Sequence, residues 1–329
     1  MRKFPVLIMG CLMASLIFTS PVRAGEEAKD LVAAAPAKKM VVFIAGRPSH
    51  GFAQHEHNAG CLLLARLLKE GMPNFDDRVY TNGWPTDPHA LDGADAIVMY
   101  CDGGPGHMVI PHLDEVDALT KKGVGIGCIH YAVEIPKDKG GKQFLDWIGG
   151  YFEAYWSVNP VWQADFAEIP KHPATNGVKP FANKDEFYYH MRFRPNMDGV
   201  TPIIYAVPPD STRMGKDDAH GGNPAVRADI GKSLPETIVW VSENKETTNR
   251  GFGCTGGHYH WNWAQDDFRK CILNCIVWIA KGDVPPDGVP SKRPTVDELL
   301  ANQDKKVPAD FDRAKIEAQI EAMNAPHEK

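Results

Sequence analysis

The sequence has no CxxC pair, no dense Lys/Arg run, no phosphate-binding loop and no internal repeat. Beyond its first residues it also has no apolar stretch long enough to cross a bilayer. Each absence removes a class of function. Without CxxC there is no zinc ribbon and no c-type haem attachment. With a net charge of −6 and both signs mixed along 329 residues, the chain lacks the cationic surface that backbone phosphates need, so nucleic acid is not an expected partner. Gly103-Gly-Pro-Gly106 is a turn that forms neither GxGxxG nor a P-loop. No permanent membrane span is expected, because the apolar run Phe4 to Phe18 is too short.

That run has a different use. Met1-Arg2-Lys3 is basic, the apolar residues follow, and Val22-Arg23-Ala24 ends on a small residue, the layout of a secretory signal. The expected organisation is a signal over 1–24, a flexible Ala/Pro/Lys/Glu lead over 25–38, one domain over 39–282, and a Pro-rich connector with a charged helical tail over 283–329. Export, to the periplasm or outside, with cleavage near Ala24, follows from this reading. Of seven cysteines, Cys11 falls in the signal. The other six (Cys61, Cys101, Cys128, Cys254, Cys271 and Cys275) sit inside apolar runs, where thiols behave as small hydrophobes, and are expected to be mostly reduced.

Short β-branched runs alternate with amphipathic stretches. Strands are expected at Lys39–Ala45, Arg78–Tyr80, Asp95–Cys101, Val124–His130, Glu236–Ser242 and Gly251–Thr255. Helices are expected at about His57–Glu70, His112–Lys122 and Asp266–Ala280. This alternation predicts an α/β fold, a mainly parallel sheet with helices on both faces. The middle, from Tyr151 to Val207, is aromatic and strand-like, with Glu186–Phe193 and Thr201–Val207 read as strands. Pro208 to Ser233 reads as a long loop. In such sheets ligands bind outside the carboxyl ends of the strands, so polar residues there are the candidates.

Three segments qualify. Ser49-His-Gly-Phe-Ala-Gln-His-Glu-His57 carries three histidines and Gln54 between a strand and a helix. Imidazole can ligate metal or move protons near neutral pH, which makes His55 and His57 candidate ligands for a divalent ion such as zinc, and His50 and Gln54 candidate substrate contacts. Gly127-Cys-Ile-His-Tyr-Ala-Val-Glu134 has the outline of a nucleophile elbow. His130 stands where a Ser or Cys nucleophile would, so His130 and Glu134 are candidate acid–base groups and thiol chemistry through Cys128 is disfavoured. Gly257-His-Tyr-His-Trp-Asn-Trp263 offers His258 and His260 as further acid–base groups. Trp261, Asn262 and Trp263 could form a wall for the apolar face of a sugar. Asp102, Glu153, Trp156, His190 and Arg192 complete the candidate substrate contacts.

Together these segments resemble the ThuA-like, or trehalose-utilisation, family of the class I glutamine amidotransferase-like superfamily. The resemblance rests on Gly46-Arg-Pro-Ser-His-Gly51 with His55-Glu-His57, on Gly127-Cys-Ile-His130, and on Trp147-Ile-Gly-Gly-Tyr-Phe152. It continues in His172-Pro-Ala-Thr-Asn-Gly177 with Asp185-Glu186, and in Gly256-Gly-His258 before a closing helix with Trp278. It implies a flavodoxin-like sheet and a role in disaccharide or glycoside catabolism, on 3-keto sugars made by partner dehydrogenases. The elbow cysteine of working amidotransferases aligns with His130, so glutamine hydrolysis is not expected. Three readings follow: His/Glu acid–base chemistry on a glycoside or its 3-keto derivative, non-catalytic carbohydrate binding, or metal-dependent hydrolysis through the histidine cluster.

Overall fold

The structure, a computed structural model, describes residues 38–327. The expected signal and most of the flexible lead, with Cys11, lie outside the described residues. In chain order the elements are β1 (Lys39–Ala45), α1 (His57–Gly71), β2 (Phe75–Tyr80), β3 (Ala96–Tyr100), α2 (Leu113–Thr120), β4 (Gly125–Ile129) and α3 (Gly141–Ile148). Then come β5 (Gly150–Tyr151), β6 (Val161–Phe166), β7 (Phe181–Glu186), β8 (Arg192–Phe193), β9 (Val200–Ala206) and α4 (Pro224–Arg227). The chain closes with β10 (Glu236–Glu243), β11 (Arg250–Cys254), α5 (Asp266–Ile279), α6 (Val296–Leu300) and α7 (Arg313–Met323).

Seven strands form one sheet in the order β2-β1-β3-β4-β11-β10-β9. The first five run parallel, β10 is antiparallel to β11, and β9 is antiparallel to β10. Alternation along each strand feeds two cores. In β1, Val41, Phe43 and Ala45 enter the core under α1 and α5, while Val42 and Ile44 enter the one under α2 and α3. In β3, Val98 and Tyr100 take the first side, Ile97 and Met99 the second. Both faces are therefore dry, which explains why these strands read as unbroken apolar runs. Gly127 in β4 lets a neighbour in: a Cβ there would lie 2.2 Å from the Phe252 ring. The six cysteines of the described residues are buried and free, and burial pushes their thiols upward wherever a shift is resolved.

Two expectations are corrected in the middle. Glu186–Phe193 is not one strand: β7 ends at Glu186, residues 187–191 are irregular apart from a single bridge between Tyr189 and Val158, and Arg192–Phe193 pairs with β5. The reason is His190, whose φ of 57° no strand accommodates. The 208–233 segment is not structureless, since it carries α4, capped by the Asn223 side chain. The tail packs on the domain. Val289, Val296, Leu299 and Ile320 join the core beside α5, and Asp304 returns to α1, its N–H donating to Glu56 at 2.7 Å and its carboxylate accepting from Asn58 at 2.9 Å.

Candidate functional site

β4 delivers the first site residue. Ile129 still faces the α1/α5 core and Cys128 the opposite one. The chain then reverses at His130, whose φ is 55°. A β-carbon in the left-handed region is strained and needs fixing by its surroundings. The Thr255 carbonyl does so, accepting from His130 Nδ1 at 2.8 Å. A carbonyl can only accept, so Nδ1 carries the proton and the unprotonated Nε2 faces inward.

The loop between β1 and α1 delivers the second. His55 is also left-handed (φ 49°), and its N–H donates to the His258 carbonyl at 3.0 Å. Its Nδ1 donates to Asp102, just past β3, at 3.1 Å, which again leaves Nε2 facing inward. Burial would raise the Asp102 carboxyl, but the hydrogen bonds of His55 and Ser49 outweigh it and bring it down to about 2. It is an ionised acceptor at neutral pH. His258 arrives from the loop after β11, where Asp185 takes the N–H of Gly257 at 2.7 Å and of Tyr259 at 3.2 Å. The Tyr100 hydroxyl holds the Gly257 carbonyl.

These side chains converge with Glu186, the last residue of β7. His55 Nε2 lies 3.0 Å from His258 Nδ1 and 3.1 Å from His130 Nε2. Glu186 Oε2 lies 3.2 Å from His258 Nδ1 and 3.5 Å from His130 Nε2. All four donor atoms fall within 4.8 Å of one another. Two lone pairs facing each other at 3.1 Å repel unless a proton or cation lies between them. Three imidazole nitrogens and one carboxylate are a donor set of the zinc type. The Asp102 and Thr255 contacts supply the outer hydrogen bonds that such ligands use. The residues present therefore fit a divalent cation. Electrostatics agrees: burial lowers His55 to about 3, keeping it neutral. Burial would raise Glu186, but its neighbours His130 and His258 outweigh it, and the carboxyl is held well below its ordinary range. The Tyr188 hydroxyl meets His130 Nε2 at 3.1 Å, and burial raises this phenol well above its usual value.

Around this centre lie further polar groups. His50, on the exposed rim, stacks on His55 with ring centroids 3.5 Å apart, and burial lowers its pKa although Asp102 pulls the other way. Glu134 binds His220 of the 208–233 loop, at 3.0 and 3.2 Å from its two oxygens, and this bond raises the His220 pKa. His220 also stacks on Phe152, and its loop is pinned by the N–H groups of Tyr155 and Asn159. Farther along, Arg192 grips Glu153 with two hydrogen bonds and lies 3.5 Å over Trp156, whose ring also packs on His190. Trp156 thus has protein neighbours, and His190 spends Nδ1 on the Trp156 carbonyl.

Other candidates are placed elsewhere. His57, expected with His55 as a ligand, points Nδ1 to the Arg47 carbonyl and holds Nε2 3.7 Å from Asp102, behind the four-residue group. Burial lowers it to about 4. His260 opens a 3-10 turn (His260–Ala264) that winds into the core. Its ring nitrogens have no hydrogen-bond partner, and the Leu299 backbone lies near it. Trp263 stacks on Phe268, Asn262 donates to the Lys184 carbonyl, and Trp261 packs between Phe52 and Phe311. Gln54 bridges to Tyr259 and, with Trp261, lines a cavity against α7 rather than the histidine centre. Two residues escaped assignment from sequence. Glu186 had a visible signal, a carboxylate at a strand end, masked by reading the strand as starting there. His220 had none beyond being a histidine in a long loop.

A family model described as ThuA, trehalose utilisation, matches residues 41–279. Among solved structures, a ThuA-like protein from Bacteroides uniformis aligns at 17% identity with a TM-score of 0.50, over 79% of this chain and 98% of its own. Another from Parabacteroides merdae aligns at 14% identity with a TM-score of 0.51, over 83% of this chain and 94% of its own. At these identities the likeness is one of fold. No curated protein matches the sequence.

Proposed function

The chain belongs to the ThuA, trehalose-utilisation family, and from that premise we propose that it is a carbohydrate-active enzyme using a divalent cation and His/Glu proton transfer on a glycoside or its 3-keto derivative. The observation that carries the reading is the convergence of three imidazole nitrogens and a carboxylate within 4.8 Å. His55, His130 and His258 with Glu186 would hold the cation. When bound, such an ion supplies Lewis-acid polarisation of a sugar oxygen.

The chain's own residues supply the rest. A keto group acidifies the neighbouring C–H, so a neutral imidazole can remove that proton. His50 would be this base, a reading supported by its stacking on His55 at the rim of the centre and by a pKa lowered chiefly by burial. The leaving oxygen of the glycosidic bond needs a proton in return, and His220, whose pKa the Glu134 hydrogen bond raises, would donate it. The pair of histidines thus has opposite protonation biases, as an acid and a base require. Glutamine hydrolysis is not part of the proposal, because His130 occupies the elbow and the Cys128 thiol is pushed up by burial. Keto-sugar chemistry would place the protein after sugar dehydrogenases, and the N-terminal segment makes export part of the same proposal.

The test is elemental analysis of the purified protein together with product assays on a 3-keto-glycoside, with and without a chelator. Stoichiometric zinc or a similar ion, lost together with activity and restored with it, is the expected result. His130→Ala and His258→Ala should each abolish turnover with the fold retained. Sugar binding without product under every metal condition would replace catalysis by a binding role.

A further inference from the structure

A second cavity adjoins the histidine centre. It has about 430 Å³ and is lined by Arg47, Asn82, Trp84, Asp102, Met108 and His112, among others. Its walls are the segments that follow β1, β2 and β3. Because the sheet order is β2-β1-β3, the chain turns one way from β1 and the other way to β3, and the cavity opens outside the strand ends at that reversal. Doubly wound sheets bind their ligands at such points.

We propose that this cleft is a second sugar subsite, which takes the distal hexose ring of a disaccharide whose reacting ring lies at the histidine centre. The inference rests on the reading of that centre as carbohydrate-active. Asp102 joins the two places: it accepts from His55 at 3.1 Å and, with its side chain 35% exposed, also forms part of the cleft wall. Trp84 stacks flat on His112, centroids 4.3 Å apart at 10°, giving an apolar wall of the kind that packs on the C–H face of a sugar ring. Arg47, Asn82 and Asp102 bring donors and an acceptor suited to hydroxyl groups.

The wall is held in advance. Asn82 and Gly83 are both left-handed (φ 63° and 114°). The Asn58 side chain brackets Asn82 with two hydrogen bonds of 3.0 and 3.1 Å, and Gly83 N–H donates to the Ala45 carbonyl at 2.8 Å. Arg47 passes over Gly83, with Nε 3.6 Å from where a Cβ would be. A rigid turn presenting an aromatic side chain and an arginine limits the entropy lost on binding. Size and charge narrow the ligand. Ligand pockets run from about 300 to 1,000 Å³, so this one suits a single ring rather than an oligosaccharide. The Asp102 carboxylate in the wall disfavours a phosphate, which argues against a nucleotide at this switch point.

The experiment compares two-ring and one-ring ligands, using zinc-loaded full-length protein, with calorimetry and turnover on 3-keto-trehalose and on methyl 3-keto-α-glucoside. Trp84→Ala should weaken binding of the disaccharide, and raise its KM, by about tenfold, with the methyl glycoside unchanged. Arg47→Ala, at an exposed position, should shift the same ligand in the same direction and guards against a misfolded tryptophan variant. Equal effects on both ligands, or none on either, overturn the subsite while leaving the catalytic reading intact. Failure of the unaltered protein to bind or turn over either sugar overturns the catalytic reading and the subsite with it.

Discussion

Replacing Asp102 by asparagine tests the centre without removing a ligand. In the native protein the carboxylate accepts from His55 Nδ1 at 3.1 Å and so fixes the proton away from Nε2. An amide in its place can donate to Nδ1, which would move the ring proton to Nε2 and aim it at His130 Nε2, 3.1 Å away. Loss of such an outer hydrogen bond weakens metal affinity by about 10- to 100-fold, or about 1.4–2.7 kcal/mol. Competition against a chromophoric zinc chelator at neutral pH measures this directly, with melting curves of the metal-free proteins to confirm equal folding. Glu134→Gln serves as the contrast: it should leave zinc affinity within about twofold and reduce turnover, because Glu134 pairs with His220 and not with the four proposed ligands. Equal zinc affinity in Asp102→Asn and the unaltered protein would refute the assignment of tautomers, and with it the argument that the lone pairs converge.

Three other outcomes follow from the packing. His107 is fully buried and uses both ring nitrogens as a neutral imidazole does, accepting from Val109 N–H and donating to the Ala132 carbonyl. Burial lowers its pKa from 6.5 to about 4. The unfolded chain takes up this proton first as pH falls, so stability should drop between pH 6.5 and 4, by about 3 kcal/mol from this residue alone. Urea titrations across that window check it, and a flat profile would contradict it. The six cysteines from Cys61 to Cys275 should resist a thiol reagent in the native protein and react only on unfolding; rapid native labelling would show an exposed thiol. Leu299→Ala, in the tail, should cost about 2–5 kcal/mol in chemical denaturation, since Leu299 is wholly buried beside α5, whereas a solvated tail would give a negligible change.

The sheet was legible in the sequence because its strands are short, apolar and separated by helices whose apolar residues recur at helical spacing. β1 begins and ends where the run Lys39–Ala45 does. The aromatic middle was not, because a run such as Phe187-Tyr188-Tyr189 is buried whether it lies in a ladder or bends around a left-handed histidine, and hydrophobicity cannot tell these apart. That ambiguity concealed Glu186. The third histidine segment failed for a different reason. His258 reaches the centre, but the next residues wind into a 3-10 turn that carries His260 and Trp263 beneath the surface. A pattern of polar and aromatic residues after a strand marks the strand end correctly, and says nothing of where the turn after it rotates each side chain.

The bond from Asp304 to Glu56 and Asn58 bears on how the protein comes into being. Asn58 in turn holds the Asn82 turn, and Glu56 takes the Ala53 N–H beside His55. The surroundings of His55 are thus completed by a segment far downstream in the chain. A partly made chain can form β1 to β4 and still lack both the His258 arm and the strap that fixes the His55 loop. Capture of the proposed cation would therefore follow synthesis of the segment around Asp304, and proteolytic loss of that segment would be felt first as a loosened histidine loop more than 200 residues upstream.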